Sequence, residues 1–320
     1  MKYEVPMKIE FRPAWLSWVG STTMCLNALD VECDMADVAG YSSYAFALAI
    51  HEGLCPSGPT LLEWSTLASG IAALGRSTTC FISYDCFTQD SNNKRTRAHA
   101  IEVFELVTRE IEAGRPCIVW GLGPPEFGVV RGVTEDDYLC VPGGPTPKRL
   151  RWDAIDAPGG PSVLAFPTAR ENPENWDIDR EAIRSAVMMM TRPDYRQNTK
   201  CGLKAYDYWC SELQDEKAIS WSNSYNAQCW AEARMLGSDF LKKVADRHKE
   251  NVDIGKAHES LRDVAVELGA VAEMFPFTMR FEGDPITDKD VIETAVEHLQ
   301  AAKAAEEKAI ESMNKALQIW

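Results

Sequence analysis

The chain has 320 residues, and its 33 lysines and arginines against 48 aspartates and glutamates give a formal net charge of −15 at pH 7. A composition that is 45% hydrophobic and 25% charged is typical of folded globular proteins and excludes a chain that is disordered throughout. The acidic charge argues against general nucleic-acid binding, because lysine and arginine supply most of the affinity for phosphates.

The sequence shows no pattern typical of a membrane anchor, a metal site or a cofactor site. No apolar run approaches the roughly 20 residues that a helix needs to cross a bilayer. The cysteines are scattered from Cys25 to Cys229 without a Cys-x-x-Cys pair, which argues against a disulfide framework and a zinc site. Gly121 and Gly123 follow a predicted strand, but the two prolines after them prevent the helix that a dinucleotide site needs. We expect a cytoplasmic protein with no nucleic-acid partner, no membrane partner, no metal and no cofactor.

Helices come first in the predicted order of elements. Ser21 or Thr22 could cap a helix within residues 16–29, because either side chain can accept hydrogen bonds from the first free N–H groups. Residues 61–74 and 98–113 repeat apolar side chains at helical spacing. A glycine follows each of these two segments, and glycine commonly ends helices.

A series of short strands follows these helices. Four apolar segments bounded by glycine or proline turns have the length of buried strands, and they are residues 116–120, 127–131, 138–141 and 163–166. Helices followed by a mostly antiparallel sheet form an α+β order, in contrast to alternating strand and helix units.

From Pro167 onward the sequence is predicted to be helical. Asp179 is the expected cap of a helix through residues 182–190. Further helices are predicted at residues 202–213, 226–245 and 257–275, and from Thr287 toward Trp320. The predicted fold is α+β, with one domain over residues 1–170 and an all-α domain over residues 171–320. The long C-terminal helix could pack against a second copy, which would give a homodimer.

Cys25 is the candidate nucleophile, because the predicted helix starts only a few residues before it. A helix N-terminus lowers the pKa of a thiol and favours the reactive thiolate. The alternative is that Cys25 is a small core residue, which is what we expect for Cys33, Cys80, Cys117 and Cys140.

Two segments resemble the start of a known family. Residues 23–29 (Thr-Met-Cys-Leu-Asn-Ala-Leu) and 35–46 (Met-Ala-Asp-Val-Ala-Gly-Tyr-Ser-Ser-Tyr-Ala-Phe) are similar to the opening of the papain-like proteins related to butirosin-biosynthesis protein H. Bacteriocin-processing cysteine peptidases are more distant relatives of these papain-like proteins. The resemblance covers about the first 165 residues. It implies a papain-like domain in which a cysteine at the start of a helix, here Cys25, is the nucleophile.

The same resemblance shows two departures from the family's catalytic residues. Residues 126–132 (Glu-Phe-Gly-Val-Val-Arg-Gly) correspond to a His-Phe-Val-Val-Val-x-Gly motif, so Glu126 takes the place of the catalytic histidine, and Val141 takes the place of an aspartate. An unperturbed carboxylate, with a pKa of about 4.3, is a poor base for a thiol with a pKa of about 8.5. Burial beside Trp120 and Phe127 would raise the pKa of Glu126 and make it a general acid.

Two functions are therefore open. The first is a cysteine-dependent amide hydrolase or acyl transferase acting on a small molecule or peptide, with Cys25 as nucleophile and Glu126 as the acid, base or orienting group. The second is a catalytically inactive papain-like protein that binds a small molecule or peptide. Replacing Cys25 by alanine separates them, because an enzyme would lose turnover and a binding protein would keep its ligand.

A loop at residues 51–59 (His-Glu-Gly-Leu-Cys-Pro-Ser-Gly-Pro) contains His51, Cys55 and Ser57. Functional residues are frequent on loops. Cys55 and Ser57 could line a substrate pocket, and His51 could supply the missing imidazole. The glycines and prolines also fit a simple long turn.

Aromatic and polar side chains recur in the helical half. A substrate pocket at a domain interface would need such residues, and the candidates are Trp120 together with Tyr206, Trp209, Asn226, Trp230 and Arg234. The alternative is that tryptophan and tyrosine at helical spacing form a core.

Overall fold

The structure, a computed structural model, describes residues 3–5, 9–81, 94–123, 125–144, 146–155, 162–169, 175–215, 218–277 and 285–320. It divides into two compact units. The sheet unit contains Met1–Val38 and Trp64–Pro173, and the helical unit contains Ala39–Glu63 and Glu174–Trp320. The sheet unit ends close to the predicted boundary at residue 170, whereas residues 39–63, expected in the first domain, belong to the helical unit.

Helices and strands are both present in the described ranges, and the fold is mixed α/β. The helices are α1 (Ser17–Ala28), α2 (Met35–Tyr41), α3 (Trp64–Gly70), α4 (Lys94–Glu112), α5 (Asn175–Met190), α6 (Leu203–Leu213), α7 (Ser220–Arg247), α8 (Val252–Met274) and α9 (Lys289–Ile319). The strands are β1 (Tyr3–Glu4), β2 (Ala49–His51), β3 (Thr79–Phe81), β4 (Cys117–Trp120), β5 (Phe127–Val133), β6 (Asp137–Val141), β7 (Lys148–Arg151), β8 (Val163–Ala165) and β9 (Thr199–Cys201).

The sheet unit is built on an antiparallel sheet, as the strand pattern predicted. Its strand order is β3-β8-β4-β5-β6-β7, and β1 pairs with β5 as well. The predicted strands at 116–120, 127–131, 138–141 and 163–166 are confirmed as β4, β5, β6 and β8, and each pairs antiparallel with its neighbours.

Helix α4 supplies the apolar layer on this sheet. Val103, Val107 and Ile111 are spaced four residues apart, so they share one face of the helix and pack with Cys117 and Val119 of β4. Burying each such side chain contributes about 1.5–3 kcal/mol. The predicted helix at 98–113 is therefore confirmed.

Helix α1 begins earlier than predicted. It starts at Ser17, and Ser21 and Thr22 lie inside it, both buried. The predicted start near these two residues is wrong. Almost every residue of α1 is buried, and the helix packs against β4 and β5. A helix that is buried on all sides shows no polar face, so the apolar pattern does not mark its first residue.

The helical unit is a stack of long helices that confirms the predicted C-terminal helical region. Helix α8 packs between α7 and α9, and α5 and α6 pack against α9. A two-stranded sheet of β2 and β9 joins residues 39–63 to this unit, with Ala49 opposite Cys201 and His51 opposite Thr199. Within the described residues no helix has the length and apolar content required to cross a bilayer.

One predicted cap differs from the structure. Helix α5 begins at Asn175, so Asp179 is not its cap. The Asp179 carboxylate instead accepts hydrogen bonds from Arg247, His248 and Tyr41. The predicted C-terminal helix is α9, and its N-cap is Asp288, whose side chain accepts hydrogen bonds from the backbone N–H groups of Asp290 and Val291.

Candidate functional site

Cys25 lies in the last turn of α1 and not at its start. Its side chain is fully buried, and burial raises the pKa of the thiol well above its ordinary value, with Cys117 adding to the effect. The negative end of a helix dipole also opposes a thiolate in the last turn. The expectation of a lowered thiol pKa is therefore wrong, because the start of the helix was placed too late.

Glu126 contacts the opposite end of the same helix. Its Oε2 accepts a hydrogen bond from the hydroxyl of Ser17, the first residue of α1. The Ser17 Oγ in turn accepts from the backbone N–H of Phe127 at 3.1 Å. Eight residues along a helix span about 12 Å. The structure therefore brings Glu126 to Ser17 and not to Cys25.

Sequence analysis missed Ser17. The signal that could have identified it is its place just before the buried stretch that begins with Trp18, a position where serine often begins a helix. The incorrect start of α1 concealed this signal.

A row of aromatic rings adjoins the Ser17–Glu126 pair. Trp64 and Trp120 each lie 4.9 Å from the ring of Phe127, and Trp18 lies 6.0 Å from Trp64, measured between ring centroids. Trp120, a predicted substrate contact, is thus one member of this aromatic row. Trp64 is partly exposed, whereas Trp18, Trp120 and Phe127 are buried. We use "aromatic row" for these four residues.

The predicted loop site lies in the helical unit. His51 Nδ1 is 3.0 Å from the hydroxyl of Thr199 on the paired strand. The Ser57 hydroxyl donates to the Cys55 sulfur at 3.1 Å. Cys25 belongs to the sheet unit, so the pairing of His51 with Cys25 stays a prediction.

Contacts from the helices hold this loop in an unusual backbone conformation. Gly53 and Leu54 both have positive φ angles, of 66° and 53°. A left-handed conformation costs a non-glycine residue roughly 1–2 kcal/mol. The Asn226 side-chain nitrogen donates to the carbonyl of Leu54 at 2.9 Å and to that of Cys55 at 3.3 Å. The Glu212 carboxylate accepts from the Gly53 N–H.

The remaining predicted substrate contacts lie in the interior of the helical unit. Each is at most 1% exposed, and they are Tyr206, Trp209, Asn226, Trp230 and Arg234. A substrate role for them at a domain interface stays a prediction. Tyr206, Trp209, Arg234 and the Asn226 side-chain nitrogen have hydrogen-bond partners within the helical unit. The Trp230 indole N–H has none among the described residues.

A buried ion pair occupies the centre of this group. Arg234 donates to both carboxylate oxygens of Glu306 at 2.8 Å and to the carbonyls of Ala45 and Ala47. Tyr206 donates its hydroxyl to Glu306. Burial alone would lower the pKa of Arg234, but the charges of Glu306 and Tyr206 and the hydrogen bonds to both together outweigh it and raise that pKa. These groups stabilise the contact between α6, α7, α9 and the segment near Ala45.

Asn223, Asn226, Trp230 and Arg234 lie on one face of α7, because their spacing of three or four residues follows the helical period. We call them the polar stripe. All four are fully buried. Three polar atoms of the stripe have no hydrogen-bond partner among the described residues: Asn223 Nδ2, Asn226 Oδ1 and Trp230 Nε1. Sequence analysis identified Asn226, Trp230 and Arg234 but did not predict these unpaired atoms.

The described residues contain no group of three His, Cys, Asp or Glu side chains that could hold a metal ion. Comparison of the sequence with protein-family models and with curated proteins finds no match.

Proposed function

We propose that the chain is a binding protein for a small molecule or peptide, and that its sheet unit is a papain-like shell without thiol chemistry. The observation that carries this proposal is the state of Cys25. A thiol nucleophile must be accessible and must form the thiolate near neutral pH. Cys25 is fully buried, and burial raises its pKa well above the ordinary value, so the thiol keeps its proton.

The ligand contact that we propose is the Ser17–Glu126 pair with the aromatic row. Both residues of the pair are partly exposed, as is Trp64. A carboxylate next to a row of aromatic rings favours a ligand that has an N–H donor next to an apolar group, and peptides and small amides have this chemistry. The proposal requires no cofactor. We keep the cytoplasm as the compartment, which the scattered cysteines of the sequence support.

Alkylation of the native protein tests the state of Cys25. Iodoacetamide at pH 7, followed by mass spectrometry of each cysteine peptide, measures the rate at every thiol. We expect the partly exposed Cys33 and Cys55 to react first, and Cys25 to react as slowly as the buried control Cys117. A Cys25 thiol that reacts faster than Cys33 and Cys55 would overturn the proposal and favour the cysteine hydrolase.

A second candidate function is acyl transfer at Ser17, and the hydrogen bond from Ser17 to Glu126 favours it. In that reaction Ser17 Oγ would bond to a carbonyl carbon while Glu126 takes the hydroxyl proton. The proton would then pass to the leaving amine as the carbon–nitrogen bond breaks. A carboxylate is generally a weak base for a serine hydroxyl, which is why we rank this candidate second.

A fluorophosphonate probe separates the two candidates. Acyl transfer predicts that the probe modifies Ser17 in the native chain and that the modification disappears in Ser17→Ala and Glu126→Gln. The binding protein predicts no modification of Ser17 in any of the three proteins. Labelling of Ser17 that depends on Glu126 would therefore replace the first proposal by the second.

A further inference from the structure

The hydrogen-bond neighbours of Asn223 and Asn226 show which side-chain amide atom is nitrogen and which is oxygen. Asn226 Nδ2 faces the carbonyls of Leu54, Cys55 and Ser222, which can only accept, so the other atom of this amide is the oxygen. Asn223 accepts from Trp209 Nε1 at 2.7 Å, so its free atom is the nitrogen. A turned amide would create clashes of like groups at both residues.

Together these atoms form a short row of hydrogen-bonding groups. Along α7, Asn223 and Asn226 are about 4.5 Å apart, and Asn226 and Trp230 about 6 Å. The row therefore offers a donor from Asn223, an acceptor from Asn226 and a donor from the indole of Trp230. Buried polar groups are almost always paired, and three unpaired groups on one helix face call for a partner from outside the described chain.

The loop that covers Asn226 has the features of a ligand clamp. Leu54 keeps a left-handed backbone while Asn226 holds its carbonyl. A side-chain carbon on Gly58 would lie 2.6 Å from the Ala49 carbonyl oxygen and 2.8 Å from Asn226 Oδ1, so only glycine allows this approach. Backbone strain that the surroundings hold in place is concentrated at active sites, ligand clamps and switches.

We propose that the polar stripe and the loop at residues 51–58 bind a small uncharged molecule that has both an N–H donor and a carbonyl acceptor, as a primary carboxamide does. Its N–H donates to Asn226 Oδ1, and its carbonyl accepts from Trp230 Nε1, the neighbouring donor of the row. The charged residue of the stripe, Arg234, is already paired with Glu306, so a charged ligand would be buried without a counter-ion. This site lies in the helical unit and does not depend on the function proposed for the sheet unit.

Ordered water can satisfy the same atoms, so the experiment must separate water from a carboxamide. The full chain with nitrogen-15 in its tryptophan indoles gives one NMR signal for each indole, and Trp230→Phe assigns that of Trp230. Acetamide is the probe, and it is added to about 50 mM. This concentration is far above the lowest dissociation constant that a ligand of this size reaches. N,N-dimethylacetamide is the matched control, because it keeps the carbonyl and has no N–H.

We expect acetamide to shift the Trp230 indole signal to saturation, and N,N-dimethylacetamide to leave it unchanged. Trp230→Phe keeps the ring and removes the donor, so acetamide binding followed at the Trp209 indole should weaken about threefold to tenfold. Trp221→Phe is the matched control on the same helix, and its binding should equal that of the unmodified chain. A circular dichroism spectrum checks that both variants fold.

Three results would overturn the proposal. They are a Trp230 signal that acetamide does not shift, equal shifts from both probes, and acetamide binding that Trp230→Phe leaves unchanged. The first result assigns the row to water, the second to a general solvent effect, and the third to a site elsewhere in the chain.

Discussion

The two units differ in the chemistry that they bury. In the sheet unit the interior thiols of Cys25 and Cys117 lie among apolar groups, and burial raises the pKa of each. In the helical unit the interior holds an arginine, a glutamate and two asparagines on or against α7. A thiol loses its reactivity when it is buried without a cation. An arginine keeps its charge in the interior when a carboxylate and carbonyl oxygens surround it.

This contrast shows where a functional signal lies in such a chain. A residue type that is reactive in water, such as cysteine, is weak evidence of function when the fold buries it. Polar atoms that the fold buries and leaves unpaired are stronger evidence of function, because burying each of them costs free energy. Substitutions in either interior test this contrast.

Breaking the buried ion pair should have the largest effect on stability. Glu306→Gln leaves the charge of Arg234 without its partner in the interior, and we expect the free energy of unfolding to fall by about 3–5 kcal/mol. Urea denaturation followed by circular dichroism measures it. The double variant Arg234→Met with Glu306→Leu should lose less than Glu306→Gln alone, since no unpaired charge remains. A loss below about 1 kcal/mol in Glu306→Gln would show that the pair is not buried as described.

A methyl group at Gly40 should disturb the packing of the helical unit. A side-chain carbon there would lie 2.1 Å from Phe240 Cγ, so one helix must move. We expect Gly40→Ala to reduce the free energy of unfolding by about 3 kcal/mol. The matched control is Gly255→Ala on α8, where a side-chain carbon meets nothing within 4 Å and alanine should stabilise the helix by about 0.5–1 kcal/mol. Equal effects at the two positions would contradict this packing.

Asp179 should contribute stability that depends on pH. Burial acts to raise the pKa of Asp179, but the hydrogen bonds from Arg247, His248 and Tyr41 and the charge of Arg247 together outweigh it, and the pKa is lowered. A carboxylate with a lowered pKa in the folded chain stabilises the fold above its unfolded pKa of about 3.9, and this contribution is lost as the pH falls through the folded value. Asp179→Asn should therefore cost about 2 kcal/mol at pH 7 and progressively less in acid.

The matched control for that change is Asp246→Asn. Asp246 also has a lowered pKa, through its hydrogen bond from Lys242, but it is fully exposed and solvent screens the pair. Urea denaturation at several pH values should show little change in this control at any of them. An Asp179→Asn penalty that stays constant from pH 7 to strong acid would contradict the pH dependence.

Replacing Cys25 should have the smallest destabilising effect. Cys25→Ala removes one buried sulfur from an apolar site, and we expect a loss of about 1 kcal/mol. The variant should keep ligand binding, because the thiol takes no part in it. Cys117→Ala is the matched control for burial alone. If Cys25→Ala abolishes ligand binding and Cys117→Ala preserves it, the Cys25 thiol is part of the binding site.

The elements of the fold that have a local sequence signal were predictable. The four predicted strands and the helices at 98–113, 202–213, 226–245 and 257–275 are confirmed, although three of the helices begin four to six residues earlier than predicted. Alternation and helical spacing depend on neighbouring side chains alone. The short strands β2 and β9 were missed. Ala49 pairs with Cys201, about 150 residues along the chain, and neither segment is long enough to show a period.

The candidate sites were less predictable than the fold, for the same reason. Glu126 was identified as a special residue, but its partner Ser17 is 109 residues away and only the folded chain brings them together. Asn226 and Trp230 were identified by type, and the sequence could not show which of their atoms stay unpaired. That depends on every carbonyl and side chain that reaches α7, including those of the loop near Leu54.

The sequence by itself determined the acidic charge, the four strands β4, β5, β6 and β8, and the change from an antiparallel sheet to long helices. These follow from composition and from periods that a short window contains. The tertiary structure alone decided that Cys25 is buried in the last turn of α1, that Glu126 meets Ser17, and that the polar stripe faces the loop. Burial and hydrogen-bond pairing depend on groups far apart in the chain, and a local pattern does not contain them.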